Sequence, residues 1–263
     1  MRLTDTVGRE LELAAAPRRI VSLVPSWSET LFELGAGDLL VGVTEYCVHP
    51  ADGVARLPKV GGTKNPAVAA IIALRPDLVL ANKEENRQRD VERLEAAGVR
   101  VFVTYARTVR EAVAELRVLG RIAGRESEAD AIVAEVETRL AVENRAARPR
   151  VAALVWRDPL MVVGGDTFAS DLMRCAGGEN AFAEVSGRYP RVERGELERA
   201  GPQVLLLPTE PYRFEERDRL ELLGLDCPAA KSGRVHVIEG ELLTWYGPRM
   251  ARALDTLRGL FAD

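Results

Sequence analysis

Short apolar runs and stretches with helical spacing alternate along the first part of the chain. An apolar run at residues 20–24 has the length of a strand. Ser26 and Glu29 then have the spacing of a capping box, which predicts that a helix begins here. Gly35 follows the apolar side of this helix and is predicted to end it in the left-handed conformation. A strand that leads directly into a helix through a small turn is where open α/β sheets bind ligands.

The same order of elements recurs in the second half of the chain. Residues 69–81 predict a helix, a break at Pro76 and a buried strand, and residues 193–208 repeat this order around Pro202. Residues 151–156 predict a strand comparable to the one at the start. We therefore predict an α/β protein with two Rossmann-like lobes, each built on a parallel sheet.

Further elements complete both predicted lobes. Residues 161–163 form another apolar run, and Asp166 and Thr167 are predicted to cap a helix that stops at Gly177 and Gly178. The last strands are expected at residues 101–104 and 235–238.

Between the lobes lies the most helical part of the sequence, at residues 108–148. Thr108 and Glu111 have capping-box spacing, and Ser127 with Asp130 starts a second helix predicted over about residues 127–147. About 20 residues at roughly 1.5 Å each give a rod of roughly 30 Å. The predicted domains are a lobe at 1–107, this connector, and a lobe at 149–263.

Composition narrows the classes of function. The chain has 263 residues, a net charge of −4, 47% hydrophobic residues and 29% charged residues, as in ordinary globular proteins. Nucleic-acid binding needs a positive surface, so we expect no such partner. No apolar run approaches the roughly 20 residues of a membrane span, so we expect no span either. We also expect a monomer.

The N-terminus and the cysteines bear on the compartment. The first residues carry Asp5, Glu10 and Glu12 and lack the apolar core of a secretory signal. The three cysteines are scattered and odd in number, which fits a reducing compartment better than a disulfide framework. These features predict a cytoplasmic protein; the alternative is a periplasmic or cell-surface protein whose signal was removed.

The order and spacing of several segments resemble a known family. The segments are RRIVSLVPSWSETLFELGAGDLLVGVTEYC, LPKVGGTKN, ALRPDLVLA, CAGGENAF and WYGPRMARAL. They are similar to the cobalamin- and ferric-siderophore-binding proteins of ABC importers, whose two lobes are joined by one long helix. The resemblance covers nearly the whole chain. It implies a ligand cleft between the lobes, a small-molecule metal chelate as ligand and no required cofactor.

The resemblance also implies site positions. Tyr46 is at the position of an aromatic residue in the cleft, Tyr189 at that of a tryptophan, and Met161 at that of an aromatic residue of the second lobe. Glu241 lies near the position of a cleft aspartate, and Trp27 is expected at the mouth of the cleft.

One departure concerns an ABC permease as partner. Family members that dock on a permease carry an exposed acidic residue on each lobe. The corresponding positions are Ala69 and Gly195 here, and Glu196 next to the second could substitute for it. This departure suggests a binding protein that has left the transport role.

Other ligand-binding candidates come from position and residue type. Trp156 and Trp245, like Trp27, fall at loop or strand-end positions where a flat ligand could stack. Glu210 and Tyr212 follow a buried strand and can exchange hydrogen bonds with a polar ligand. Two more candidates, Tyr246 and Arg249, precede or begin the last helix; Arg249 is disfavoured there by the helix dipole and is expected to pair with a ligand anion or Glu241.

The sequence leaves two alternatives to a chelate-binding protein. An enzyme or cofactor-handling protein could use the same scaffold, although no common catalytic motif is present. A divalent-metal receptor could use Cys47 and His49, but only one other histidine, His236, is available, and zinc sites use three or four nitrogen or sulfur ligands. The main interpretation is a solute-binding protein for a corrinoid, haem or ferric siderophore, and not an enzyme.

Overall fold

The computed structural model describes residues 1–142 and 148–262, which divide into two compact units. Unit 1 comprises Met1–Ala106, Arg110–Ala134 and Tyr246–Pro248; unit 2 comprises Arg107–Val109, Arg249 onwards, and the described part of Glu135–Trp245. Among the described helices, none has the length and apolar character needed to cross a membrane.

Unit 1 is built on a parallel sheet of four strands. The strands are β3 (Ile20–Ser22), β4 (Leu40–Val43), β5 (Leu78–Asn82) and β6 (Val101–Thr104), in the order β4-β3-β5-β6. A separate antiparallel hairpin pairs β1 (Arg2–Thr4) with β2 (Glu10–Glu12). The strands are buried on both faces, as parallel sheets covered by helices require.

The first helix of unit 1 does not begin as predicted. Helix α1 spans Pro25–Glu33, and the residue before it is Val24, which makes no side-chain cap. Pro25 has no N–H to satisfy and starts the helix itself, so Ser26 lies inside the first turn and the predicted capping box with Glu29 is wrong. The predicted stop is confirmed, since Gly35 has a φ of 68°.

Further helices of unit 1 follow its strands. Helices α2 (Ala51–Val54) and α3 (Val68–Ala73) lie between β4 and β5, α4 (Gln88–Ala96) lies between β5 and β6, and α5 (Val109–Ala123) follows β6. The boundary between the units falls within α6 (Glu126–Leu140), between Ala134 and Glu135.

Helix α6 is shorter than the predicted connector helix. It begins one residue before Ser127, whose hydroxyl bonds the carboxylate of Glu128. The N–H of Val142 bonds the carbonyl of Arg139, a tightened i−3 turn that ends the helix instead of continuing it. The predicted end at 147 falls in residues 143–147, which lie outside the described residues.

Unit 2 has a sheet of five strands. They are β7 (Arg150–Trp156), β8 (Met161–Val162), β9 (Glu179–Asn180), β10 (Val204–Pro208) and β11 (Val235–Ile238). Strands β9, β10 and β11 run parallel to their neighbours, whereas β8 is antiparallel to β7. The apolar run predicted at residues 161–163 is therefore a strand, but an antiparallel one.

The helices of unit 2 cover both faces of this sheet and follow its strands. They are α7 (Phe168–Cys175), α8 (Arg194–Ala200), α9 (Glu216–Leu222), α10 (Pro228–Lys231), α11 (Glu241–Thr244) and α12 (Arg249–Ala262). Thr167 caps α7 by accepting the N–H of Ser170 at 3.1 Å, as predicted.

Both parallel sheets share one strand order. Counted along the chain, β3 to β6 are arranged 2-1-3-4, and the strands β7, β9, β10 and β11 repeat this arrangement. The repeat predicted from the sequence is thus present in the topology. In this arrangement the strand order reverses between the first and third strands, and ligands bind outside the carboxyl ends of such strands.

Candidate functional site

Tyr46 is the most exposed aromatic side chain at the strand ends of unit 1. It follows β4 and is 61% exposed. The N–H of Glu45 bonds the carbonyl of Gly61 at 3.0 Å, which holds the Tyr46 segment against the turn at Gly61 and Gly62. A Cβ on Gly62 would lie 3.3 Å from Cε2 of Tyr46 and 2.5 Å from Oδ1 of Asn65. The ring therefore rests on a turn that needs glycine, and its outer face is open.

Trp27 is not at an open position, contrary to the sequence prediction. It is 1% exposed and lies in α1. Its Nε1 donates to Oγ1 of Thr104 at 3.1 Å, and Nδ2 of Asn82 donates to the same oxygen at 3.1 Å. Since the indole N–H is satisfied at the end of β6 inside unit 1, Trp27 is a core residue and the predicted ligand contact is wrong.

Tyr246 is the partner of Trp27 in this core. Their rings are stacked with centroids 5.5 Å apart, and Tyr246 is 4% exposed. The hydroxyl of Tyr246 donates to the carbonyl of Ala106 at 3.4 Å. Burial, with the nearby carboxylates of Glu84 and Glu85, raises the pKa of this hydroxyl well above its usual value. The predicted ligand contact of Tyr246 is therefore also wrong.

Cys47 does not offer a metal ligand. The thiol is buried, with Oγ of Ser28 at 3.1 Å and Oγ1 of Thr44 at 3.2 Å. Burial raises the pKa of the thiol, so the thiolate form that binds metals is disfavoured. His49 is half-buried, and no group of three or more potential metal-ligating side chains occurs in the part of the chain that the structure describes.

In unit 2 an aromatic corner lies where the strand order reverses, between β7 and β10. Trp156, the last residue of β7, is 41% exposed, and its ring meets the edge of Tyr212 at a centroid distance of 5.6 Å. Tyr212 follows β10 and packs against the buried ring of Phe214 at 4.7 Å. Met161 pairs with Trp156 in the β7–β8 ladder. Three predicted residues are thus brought together.

Tyr189 lies in a segment that pairs with the edge of β8 opposite β7. The N–H of Val162 bonds the carbonyl of Pro190 at 3.1 Å, and the N–H of Gly164 bonds the carbonyl of Arg188 at 2.8 Å. These two bonds hold the Tyr189 backbone against β8, while the side chain is 38% exposed. Its predicted role as a ligand contact stays a prediction.

A polar cluster forms at the ends of β10 and β11 in unit 2. The carboxylate of Glu210 accepts a hydrogen bond from the hydroxyl of Thr244 at 2.7 Å. Burial is the main cause of a raised pKa at Glu210, with the charge of Glu241 acting in the same direction. A Cβ on Gly240 would lie 2.2 Å from Cγ of Glu210, so glycine is needed where the two loops meet.

Arg249 belongs to the same polar cluster. Its guanidinium lies over the Trp245 ring, 5.1 Å from the centroid, and its Nη1 is 3.9 Å from a carboxylate oxygen of Glu239. The sequence predicted a ligand anion or Glu241 as the partner, which stays a prediction; Glu239 is a carboxylate near Arg249 that the sequence did not indicate. Trp245 is only 7% exposed, so its indole cannot stack on a ligand as predicted.

Sequence reasoning missed two residues beside the aromatic corner. Arg157 forms ion pairs with Asp218, at 2.8 Å, and with Glu221. The sequence signal was available, because Arg157 directly follows Trp156 and Asp218 stands three residues after Glu215, at capping-box spacing.

The structure also shows the two positions at which relatives that dock on a permease carry an acidic residue. Ala69 is exposed in α3, and Gly195 is half-buried in α8. The Glu196 carboxylate accepts the N–H of Glu193 at 2.7 Å and so caps its own helix.

These features agree with the sequence comparisons, which identify the family. The sequence profile of the periplasmic binding protein family matches residues 20–240, and this chain belongs to that family. It is a family of solute-binding transport proteins, which implies a small-molecule ligand and an ABC permease as partner.

Individual relatives add detail. An uncharacterized ABC transporter substrate-binding lipoprotein of Bacillus subtilis is 28% identical over 97% of this chain and 83% of its own length. A vitamin B12-binding protein of Yersinia pestis is 30% identical over 74% of this chain and 70% of its own length. A periplasmic heme-binding protein of Pseudomonas aeruginosa is 27% identical, with a TM-score of 0.80 over 93% of this chain and 92% of that structure. The names of these relatives favour the alternative compartment, periplasm or cell surface, over the predicted cytoplasm.

Proposed function

We propose that this chain is the substrate-binding component of an ABC importer for a metal chelate of the corrinoid, haem or ferric siderophore class. The observation that carries the proposal is that each unit presents an open aromatic side chain at the carboxyl ends of its parallel strands. These side chains are Tyr46 after β4 and Trp156 at the end of β7. Aromatic faces provide large contact areas for flat, partly apolar ligands.

Polar groups in the same loops would orient the ligand. In unit 2 these are Glu210 and Tyr212 after β10, beside Glu241 at the start of α11. Burial raises the pKa of Glu210, so its carboxyl group can be held in the protonated form more readily than an exposed one and can then donate a hydrogen bond. The predicted cleft between the lobes remains part of this proposal.

A divalent-metal receptor is less well supported. Such a receptor needs three or four ligating side chains around one ion. The thiol of Cys47 is buried and engaged by two hydroxyls, and no other described residues assemble such a group. We also propose that the protein is exported from the cytoplasm, because its family and its relatives are periplasmic or lipoprotein binding proteins.

A thermal-melt panel tests the proposal with cyanocobalamin, haemin, ferrichrome and Zn²⁺ as probes. A ligand at about 100 times its Kd stabilises the folded protein by roughly 2.7 kcal/mol, which raises the Tm of a chain of this size by several degrees. We expect a shift with one chelate and none with Zn²⁺. A shift with Zn²⁺ alone would favour the metal receptor, and no shift with any chelate would contradict the proposal.

The permease is a separate part of the proposal. Ala69 has a methyl group where family members that dock on a permease carry an acidic residue, and the carboxylate of Glu196 already caps its own helix. We therefore propose that docking on a permease does not depend on acidic residues at these two positions and uses other side chains of the surface. Introducing Ala69→Glu should leave ligand affinity unchanged, because Ala69 lies in α3 and not in the loops that follow the strands.

A further inference from the structure

Strand β11 is an edge of the unit 2 sheet, and one side of its backbone points away from the sheet. The N–H of Leu205 in β10 bonds the carbonyl of Arg234 at 3.0 Å, and β11 continues in parallel register from there. Successive residues of a strand direct their N–H and C=O groups to opposite sides. Every second residue from Arg234 onward therefore bonds β10, whereas Val235 and Val237 direct their N–H and C=O groups outward.

Other sheet edges of the protein are covered by segments of the chain itself. The N–H of Val60 bonds the carbonyl of Val43 in β4 at 2.9 Å, and the N–H of Thr6 bonds the carbonyl of Val103 in β6 at 3.2 Å. Within the part of the chain that the structure describes, no hydrogen bond reaches the outward groups of β11. Such an edge is a template for pairing with another strand.

An open groove of about 610 Å³ runs along the outward side of β11. It is lined by all four residues of the strand, by Glu216 and Arg219 of α9, and by Arg252, Thr256 and Leu260 of α12. A strand of four residues fills roughly 650 Å³ at spacings of about 3.4 Å along the strand, 4.8 Å between strands and 10 Å between packed sheets. Because helices border the groove on both sides, an isolated strand fits there, whereas a second copy would bring its own α9 and α12 into the same space.

The side chains around the groove favour an uncharged partner. Glu216 pairs with Arg219 at 2.6 Å, and Glu239 pairs with Arg252 at 2.5 Å, so the charges at the groove are matched within the chain. Strand β11 has the sequence VHVI, without the lysine, acidic residue or proline that protects an edge strand from pairing.

We propose that β11 is a docking edge that takes an extended, uncharged peptide segment of a partner protein as an added strand between α9 and α12. The segment bonds the outward N–H and C=O groups of Val235 and Val237, and its alternate side chains lie toward the two helices. Main-chain hydrogen bonds supply the affinity in this mode of recognition. The docking edge lies within unit 2, needs no metal chelate and is independent of the proposed function.

Amide hydrogen exchange, measured residue by residue with NMR, tests the open edge without a partner. The amides of Val235 and Val237 should exchange at least about tenfold faster than those of His236 and Ile238, which bond β10. Equal protection of all four amides would show that the edge is already covered and would overturn the proposal.

Fluorescence anisotropy tests docking with a dye-labelled, end-capped hexapeptide of alternating threonine and valine. Val237→Pro removes one outward N–H and leaves the bonds to β10 in place, since proline is tolerated where an edge strand faces outward. It should weaken peptide binding about tenfold or more. The control is Val237→Ala, which also loses the branched side chain but keeps the N–H, and it should bind as the unaltered protein does.

A second variant tests the groove without altering the strand. Thr256→Phe fills the space from α12 and should weaken peptide binding to a similar extent, which decides the matter if Val237→Pro does not fold. Absence of saturable binding to the unaltered protein, or equal affinity of Val237→Pro and Val237→Ala, would overturn the proposal. Sedimentation of the unaltered protein as a dimer that Val237→Pro dissociates would show that a second copy, and not a peptide, occupies the edge.

Discussion

Trp27 and Tyr246 stack on each other in the core of unit 1, with ring planes 23° apart, although they lie near opposite ends of the sequence. Tyr246 belongs to the segment Tyr246–Pro248, which is part of unit 1 while its neighbours Trp245 and Arg249 are part of unit 2. Two adjacent aromatic residues, Trp245 and Tyr246, therefore serve different cores. Both residues were predicted as ligand contacts from the sequence, and the structure assigns them to different units.

This stack leads to a prediction about stability. Tyr246→Ala removes a buried ring and should lower the free energy of unfolding by about 3–5 kcal/mol, as large-to-small core substitutions do. Tyr246→Phe keeps the ring and loses the hydrogen bonds of the hydroxyl, among them the one to Ala106, so it should cost less, about 1 kcal/mol for each hydrogen bond lost. Urea unfolding measures both values. A small effect of Tyr246→Ala would show that the stack is not part of the stabilising core.

Gly247 offers a second test of how the Tyr246–Pro248 segment is held. Its φ is 79°, and a Cβ would lie 2.2 Å from Oγ1 of Thr30. Gly247→Ala should therefore pay about 1–2 kcal/mol for the left-handed backbone and about 1–3 kcal/mol more for the clash.

Gly8→Ala is the matched control for this substitution. Gly8 has a φ of 83° with no atom within 4 Å of the position of a Cβ. Gly8→Ala should therefore lower the free energy of unfolding only by the amount due to the left-handed backbone. Equal losses for the two variants in urea unfolding would contradict the tight contact at Thr30.

The local elements could be predicted from sequence better than the contacts of the site. The strands Val101–Thr104 and Val235–Ile238 have the bounds predicted for them, since short apolar runs between turn signals define a strand locally. The cap at Thr167 was likewise local. The burial of Trp27 and Tyr246 depends on pairing between distant segments, which no local pattern encodes.

The polar cluster shows a related limit. The sequence predicted a ligand anion or Glu241 as the partner of Arg249, because a cation is disfavoured at the start of a helix. The folded loops also bring a carboxylate oxygen of Glu239 to 3.9 Å from its guanidinium, which the sequence did not indicate. The residue types predicted an anionic partner for Arg249, whereas the contact with Glu239 could be found only from the folded structure.

Glu115 predicts a pH dependence of stability. This carboxyl group is buried in α5 and accepts the N–H of Tyr105 at 2.7 Å, while burial raises its pKa from the ordinary 4.5 to about 7. The folded state thus holds the proton more tightly than the unfolded state. Stability should be greatest below about pH 4.5 as far as this group is concerned, and should fall as the pH rises to about 7. The total effect is about 3 kcal/mol at 1.36 kcal/mol per pKa unit.

Glu115→Gln should remove this pH dependence. The amide stays neutral at every pH and can still accept the N–H of Tyr105, so the variant should be more stable than the unaltered protein above pH 7. Urea unfolding at pH 5 and pH 8 measures the difference, and Glu184→Gln, at an exposed position, is the control. Parallel pH profiles for the unaltered protein and Glu115→Gln would exclude this carboxyl group as the cause.

Tyr46 predicts an effect on ligand affinity without an effect on folding. Its ring is 61% exposed and lies against the turn at Gly62, so Tyr46→Ala should change the free energy of unfolding by less than about 0.5 kcal/mol. If the ring stacks on the ligand, its loss should remove roughly 0.5–1.5 kcal/mol of binding free energy and raise the Kd of the chelate found in the melt panel about three- to tenfold.

Val48→Ala is the control, because Val48 is an exposed apolar side chain two residues away. Both variants shorten an exposed side chain on the same loop, but only Tyr46→Ala removes an aromatic ring. A difference in Kd between them therefore measures stacking and not a general loss of apolar surface. Equal Kd values for Tyr46→Ala and Val48→Ala would mean that the ligand does not stack on Tyr46, and Trp156 at the end of β7 would then be the remaining candidate for stacking.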